Sequence, residues 1–159
     1  MSKTKNERIT IQLDTLPGTE KERYQETPVF VYGSLKQGFG NHLVLGGSRF
    51  LGEAVTCDAK FGMGSYKAYP ACFVDHESAT NVIHGEAYSV NRNILRRLDQ
   101  LESNGVFYKR DRVSVQLLGT DMKVDAWMYL LLLTPPPTCH RVKTFQEIPG
   151  VNALTWAKN

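Results

Sequence analysis

The sequence predicts an α+β fold, or a small β-barrel with one helix packed against it. Two observations support this prediction. Strand-like apolar runs recur along the middle of the chain, and only one segment has the apolar spacing of a helix. Many short strands with few helices are typical of these two architectures.

The predicted strands are short and separated by polar or glycine-bearing turns. Most are rich in β-branched and aromatic residues, as strands in a half-buried sheet are. The last of them is apolar on both faces and is expected to be central in the sheet. The predicted strands are Val29–Tyr32, Phe50–Thr56, Tyr69–Val74, Val82–Val90, Phe107–Leu118 and Val124–Leu133. The segment "KFGMGS" is interpreted as the connection between the second and the third.

One helix is predicted in "NRNILRRLDQLES". Its apolar residues recur at i, i+1, i+4 and i+7, which places Ile94, Leu95, Leu98 and Leu101 on one face. Asn91 has the side chain of an N-cap, and Gly105 follows as a residue that takes a left-handed conformation easily. A second, short helix is expected to begin near Asn41.

Length and composition indicate one domain of 159 residues with two extensions. Residues 1–27 are polar and are interpreted as an N-terminal extension, flexible or packed on the surface, with one short strand at Ile9–Leu13. The domain is predicted over residues 28–133, where "TPPPT" ends it because consecutive prolines continue neither a helix nor a ladder. Residues 134–159 are interpreted as a C-terminal tail.

Charge and cysteine content exclude several classes of protein. A net charge of +3 without a block of like charges does not indicate a nucleic-acid partner. The longest apolar stretch is far shorter than the roughly 20 residues of a membrane span. Three widely spaced cysteines favour neither a disulfide framework nor a structural zinc site, so we expect a reducing, cytoplasmic setting.

The stretch "VFVYGSLKQG" ends an apolar strand at a glycine turn. Such a turn leaves successive backbone N–H groups pointing outward, an arrangement that binds a carboxylate or a phosphate. The alternative is an ordinary connecting loop, which the pattern by itself favours. Lys36, just behind the turn, is interpreted as an incidental surface lysine.

Glu102 stands at the C-terminal end of the predicted helix, where the helix dipole disfavours negative charge. Because Glu102 lies next to an apolar stripe, its pKa would rise toward neutrality. A group that takes a proton and later returns it requires such a pKa. The alternative is a solvated surface acid paired with Arg97 or Lys109. Asp99, one turn earlier, is interpreted as structural, and His84 as a satisfied strand histidine.

Several motifs together resemble one family. "VYGSLKQGFGNHLVL", "YPA", "IHGEAYSV" and "LRRLDQLESNGVFYKRDRVSV", in this order, are similar to the γ-glutamylcyclotransferase-like superfamily and within it to the γ-glutamylamine cyclotransferase and AIG2-like branch. The similarity extends over about Val29 to Leu133. It implies a small mixed β-barrel with few flanking helices and a cavity at the barrel mouth.

The resemblance also implies the site. Glu102 corresponds to the catalytic acid/base, and Arg110 to the partner of the site tyrosine in the "YxR" motif. The residues implied to bind substrate are Tyr32, Gly33, Ser34, Leu35, Tyr108 and Tyr129. One departure is Ser103, where many relatives have glycine; it puts the leaving group in doubt and leaves the chemistry unchanged.

The resemblance implies an enzyme that releases 5-oxoproline and a free amine or amino acid from a γ-glutamyl amide, without a metal or an organic cofactor. The expected partner is this small-molecule substrate, with no nucleic acid or membrane, and the protein is expected to be a monomer or weak homodimer. Two alternatives stay open: a non-catalytic module that binds γ-glutamyl or amino-acid-like ligands, and removal of a γ-glutamyl protecting group from a biosynthetic intermediate.

Overall fold

The computed structural model describes residues 26–66, 69–75, 81–102, 104–105, 107–132, 140–141, 145–148 and 151–156. The predicted strand at Ile9–Leu13 and most of the N-terminal extension lie outside these residues. The predicted domain limits stay a prediction.

Five strands close into a mixed barrel. They are β1 Glu26–Val31, β2 Arg49–Thr56, β5 Val82–Asn91, β6 Tyr108–Leu117 and β7 Lys123–Leu131. Their order around the barrel is β1-β7-β6-β2-β5, and β5 pairs back with β1. Only the pair β1–β7 is parallel among these contacts. The barrel confirms the predicted fold class, and β7 lies between two neighbours as expected.

Apolar side chains at alternate positions along the strands fill the interior of the barrel. In β6, Val113, Val115 and Leu117 are buried, and the polar residues between them face outward. The same core contains the buried side chains of Phe30 and Met128. Each large apolar side chain buried in this way stabilises the fold by about 1.5–3 kcal/mol.

A second, three-stranded sheet has the order β4-β3-β8, with β3 at Phe61–Tyr66, β4 at Tyr69–Val74 and β8 at His140–Arg141. Strand β3 occupies the segment "KFGMGS", so the interpretation of that segment as a connection was wrong. Phe61 and Met63 alternate into the barrel core. The glycines between and after them hide this period-two pattern from sequence reasoning.

Two short strands near the C-terminus join the barrel. They are β9 at Phe145–Ile148 and β10 at Val151–Leu154, which pair antiparallel. Strand β10 also pairs in parallel with the start of β5, where Ala153 faces Val82 and Leu154 faces Ile83. Sequence reasoning did not predict these strands, because four-residue segments carry too little periodicity.

Helix α1 covers Arg92–Leu101 and begins as predicted, since the Asn91 side chain accepts a hydrogen bond from the Ile94 N–H. Ile94 and Leu98 are buried, but Leu101 is 41% exposed, so the apolar stripe ends one turn earlier than predicted. Gly105 has a φ of 92° and confirms the predicted left-handed residue. The short helix expected near Asn41 is a 3₁₀ helix, His42–Leu45.

Among the residues described, none belongs to a helix that combines the length and the apolar character a membrane crossing requires.

Candidate active site

Two segments about seventy residues apart in sequence meet at one cavity. The loop that follows β1 forms one wall, and the residue that ends α1 forms another. The lining residues are Phe30, Val31, Tyr32, Gly33, Ser34, Leu35, Pro70, Glu102 and Tyr129. The cavity has a volume of ≈ 20 Å³, which is room for about one water molecule.

The structure brings together six of the seven residues predicted for the site. Tyr108 is the exception, because it does not line the cavity. Its hydroxyl donates a 3.0 Å hydrogen bond to the carbonyl of Pro70, which does. Tyr108 therefore acts on the cavity by holding Pro70 in place.

Glu102 is the C-cap of α1, and its N–H donates to the carbonyl of Leu98 at 2.9 Å. Within the part of the chain that the structure describes, its carboxyl forms no ion pair, either with Arg97 or with Lys109. Burial raises its pKa from 4.5 to about 7. The cause is desolvation of the charged form, so the carboxyl exchanges protons near neutral pH.

The loop after β1 is held in a tight turn. The Lys36 N–H donates to the carbonyl of Gly33 at 3.0 Å, and the Asn41 side chain donates to Ser34 Oγ at 2.9 Å. Among the described residues, no acceptor pairs with the N–H of Ser34 or of Leu35. Both residues line the cavity, so this wall offers hydrogen-bond donors to an anion.

Glycine is required at position 33 because Pro70 lies directly against it. A Cβ built on Gly33 overlaps the Cγ and Cβ atoms of the Pro70 ring. Pro70, in "YPA", is a lining residue that the site prediction left out, although that motif was part of the family resemblance.

Tyr32 links the two sides of the cavity. Its hydroxyl donates to the carbonyl of Tyr129 at 2.7 Å and accepts from the N–H of Cys72 at 3.1 Å. Burial raises the pKa of Tyr32 well above its usual value, so the hydroxyl stays neutral and keeps both bonds. Tyr32 thus positions the strand that carries Tyr129.

Asp99 has a structural contact that sequence reasoning did not identify. Its Oδ1 accepts from the Tyr129 hydroxyl and from Arg110 Nε. The resemblance implied that Arg110 is the partner of Tyr108; its guanidinium instead pairs with Asp99. Burial, and after it the hydrogen bond to the Asp99 carboxylate, raises the pKa of Tyr129.

The described residues contain no group of three or more His, Cys, Asp or Glu side chains that could hold a metal ion. His84 lies between Glu53 and Thr155, with both ring nitrogens at hydrogen-bond distance. The interpretation of His84 as a satisfied strand histidine is confirmed.

Comparison with known proteins identifies the family. A family model described as "Gamma-glutamyl cyclotransferase, AIG2-like" matches residues 29–147. The chain belongs to this family of γ-glutamyl cyclotransferases.

Relatives from distant organisms agree with this assignment. The chain is 37% identical over 102 residues to a "putative gamma-glutamylcyclotransferase" of Methanocaldococcus jannaschii, covering 64% of this chain and 81% of that protein. It is 31% identical over 137 residues to the gamma-glutamylaminecyclotransferase of Bos taurus, covering 77% and 76%.

A solved structure supports the fold. The crystal structure of an AIG2-like protein from Mus musculus superimposes with a TM-score of 0.65 at 24% sequence identity, over 86% of this chain and 99% of that one. At this identity the likeness shows the fold alone, a mixed barrel with one helix.

Proposed function

We propose that the protein is a γ-glutamyl cyclotransferase that converts a γ-glutamyl amide into 5-oxoproline and a free amine or amino acid. One observation carries the proposal: the Glu102 carboxyl, with its pKa raised to about 7, lies in the same cavity as the loop Gly33–Leu35. A proton-exchanging group and an anion-binding wall are two of the parts that this reaction needs.

The substrate binds by its amino-acid end. The N–H groups of the Gly33–Leu35 loop hold the α-carboxylate, as backbone N–H groups in a nest hold anions. This places the α-ammonium group at Glu102. The ionised carboxylate of Glu102 removes one proton from that group and leaves a nucleophilic amine.

The amine then attacks the γ-carbonyl carbon of the same molecule, and a new C–N bond closes a five-membered lactam. Glu102 returns its proton to the departing nitrogen, the original amide C–N bond breaks, and the carbonyl reforms. The ring nitrogen then gives up its second proton to the released amine, which leaves a neutral lactam and an ammonium product. Both reacting groups belong to one molecule, so holding it in the folded shape supplies much of the acceleration. A positioned acid/base contributes typically about 10²–10⁴-fold.

The test begins with the wild-type protein and three substrates: γ-glutamyl-ε-lysine, a γ-glutamyl dipeptide and glutathione. We expect 5-oxoproline, detected by mass spectrometry, from at least one. Glu102→Gln should reduce its release by about 10²-fold or more while preserving the fold, because the amide cannot accept the proton.

Glu26→Gln is the matched control, since it removes an exposed carboxylate that does not line the cavity. This variant should keep the parent rate. Release of 5-oxoproline by the Glu102→Gln variant at the parent rate would show that Glu102 is not the acid/base. Binding of all three compounds by the wild type without turnover would identify a binding module instead.

A further inference from the structure

Lys36 is buried, although sequence reasoning interpreted it as a surface residue. It is only 6% exposed and directly follows the loop residue Leu35. Its Nζ donates to the carbonyl of Trp156 at 2.7 Å and to Thr155 Oγ1 at 3.3 Å. The side chain therefore crosses from the substrate-binding loop to the residues just after β10.

The acceptors of Lys36 belong to an ordered chain of hydrogen bonds. Thr155 Oγ1 lies 3.1 Å from His84 Nδ1, and His84 Nε2 lies 3.0 Å from Glu53 Oε1. An ammonium group only donates and a carboxylate only accepts, so the direction runs from Lys36 through Thr155 and His84 to Glu53. Burial lowers the pKa of His84, which fits the neutral ring that this order requires.

Glu53, His84 and Thr155 have the connectivity of a hydrolytic triad. Thr155 is only 7% exposed, and its oxygen already accepts from Lys36. A nucleophile must be presented to a substrate, so this chain of bonds is structural.

A second bond fastens the same loop. The N–H of Gln37 donates to Glu86 Oε1 at 2.9 Å, and the Tyr88 hydroxyl donates to the same oxygen at 3.0 Å. Burial lowers the pKa of Lys36, whereas the carboxylates of Glu86 and Glu53 act in the opposite direction. These two acids compensate the buried ammonium charge.

The sheet fixes the far end of the tether. Ala153 and Leu154 pair in parallel with β5, and both are buried, which sets the position of the next residue, Thr155. The family model matches only residues 29–147. The acceptors of Lys36 therefore come from a part of the chain outside that match.

We propose that Lys36 is a positioning residue that ties the substrate-binding loop to Thr155 and Trp156, and thereby holds the N–H groups of Ser34 and Leu35 in the geometry that receives an α-carboxylate. What the loop binds rests on the proposed function; the tether itself does not. Its loss should loosen the loop and weaken substrate binding while the acid/base at Glu102 stays in place.

The test compares Lys36→Met, which keeps an unbranched side chain of nearly the same length but removes its donors, with Thr56→Val. Thr56 is buried and its hydroxyl bonds the Ile83 N–H and the Asp58 carbonyl, so its loss also destabilises the barrel without touching the loop. Two experiments are made: steady-state kinetics gives KM and kcat for 5-oxoproline release, and hydrogen–deuterium exchange is measured for the peptide covering residues 33–41.

Lys36→Met should raise KM about tenfold with kcat nearly unchanged, and it should speed exchange across residues 33–41. Thr56→Val should leave KM, kcat and the exchange of residues 33–41 at wild-type values. A second pair covers the case in which the methionine variant fails to fold: Thr155→Val should raise KM and loop exchange, and Thr155→Ser should not.

Wild-type KM and exchange in Lys36→Met would overturn the proposal. Equal changes in Lys36→Met and Thr56→Val would also overturn it, because they would show a general loss of stability. If the wild-type protein released no 5-oxoproline, the proposed function would fail, and the exchange measurement would still decide whether the tether holds the loop.

Discussion

The Tyr129 hydroxyl donates a 2.6 Å hydrogen bond to Asp99 Oδ1, the same oxygen that accepts a 2.7 Å bond from Arg110 Nε. One carboxylate thereby joins α1 to β6 and β7. Asp99 lies one helical turn before Glu102, so this junction fixes the end of the helix relative to the strand that carries Tyr129. The position of Glu102, the proposed acid/base, thus depends on the hydrogen bonds of Asp99, in which Glu102 takes no part.

Replacing Asp99 should destabilise the protein more than replacing its tyrosine partner. Asp99→Ala removes an acceptor shared by two partly buried donors and should cost about 2–3 kcal/mol of unfolding free energy. Tyr129→Phe should cost about 1 kcal/mol. The double variant should be more stable than the sum predicts, because both changes remove the same bond.

Urea denaturation of the four proteins in this cycle measures the coupling. Ser114→Ala is the control, since it removes an exposed hydrogen bond to Asp125 on the same pair of strands and should change stability by less than about 0.5 kcal/mol. Strict additivity of Asp99→Ala and Tyr129→Phe would contradict the shared bond.

Gly33→Ala should damage the cavity. The added methyl group overlaps the ring of Pro70, so either the loop or the "YPA" segment must move, at a cost of about 1–3 kcal/mol. We expect both substrate affinity and the stability of the fold to decrease, because both segments line the cavity. Thermal unfolding and the KM for 5-oxoproline release measure the two effects.

Gly40→Ala provides the comparison within the same loop. A Cβ at Gly40 meets nothing within 4 Å, so this variant should be neutral in both assays. Equal behaviour of the two variants would show that the contact between Gly33 and Pro70 does not shape the cavity.

Glu102 should make the stability of the wild-type protein depend on pH. Its pKa is about 7 in the folded protein and near 4.5 when unfolded, so the folded state binds the proton more tightly. Below pH 4.5 both states are protonated and there is no penalty. As the pH rises from 4.5 to 7, the unfolded state ionises while the folded state keeps its proton, so the protein loses about 3 kcal/mol of unfolding free energy, and above pH 7 this loss is complete.

The Glu102→Gln variant has no titrating carboxyl at this position, so its unfolding free energy should not decrease in this way. Urea unfolding of both proteins at several pH values between 4 and 8 should therefore show a difference that grows in favour of the glutamine variant as pH increases. A difference that stays constant over this range would mean that the carboxyl is not desolvated in the folded protein.

Local patterns predicted much of the barrel. Strands with clear apolar runs and the helix with its Asn91 cap are present nearly at the expected positions. Strand β3 was missed because glycines interrupt its alternation, and β9 and β10 because four residues hold too little pattern. For the site, two local signals, the glycine turn and the acid at the end of the helix, belong to segments that line the same cavity.

The sequence by itself determined the strand-to-turn transition at Gly33, the helix that ends at Glu102, and the resemblance to γ-glutamylcyclotransferases. Each depends on the conformational preferences of neighbouring residues or on motif order. Only the tertiary structure decided that the Glu102 carboxyl is desolvated, that Asp99 holds Tyr129, and that Lys36 is a buried tether. The two hydrogen bonds join residues 30 and 120 positions apart in the chain, and no local pattern encodes contacts at such separations.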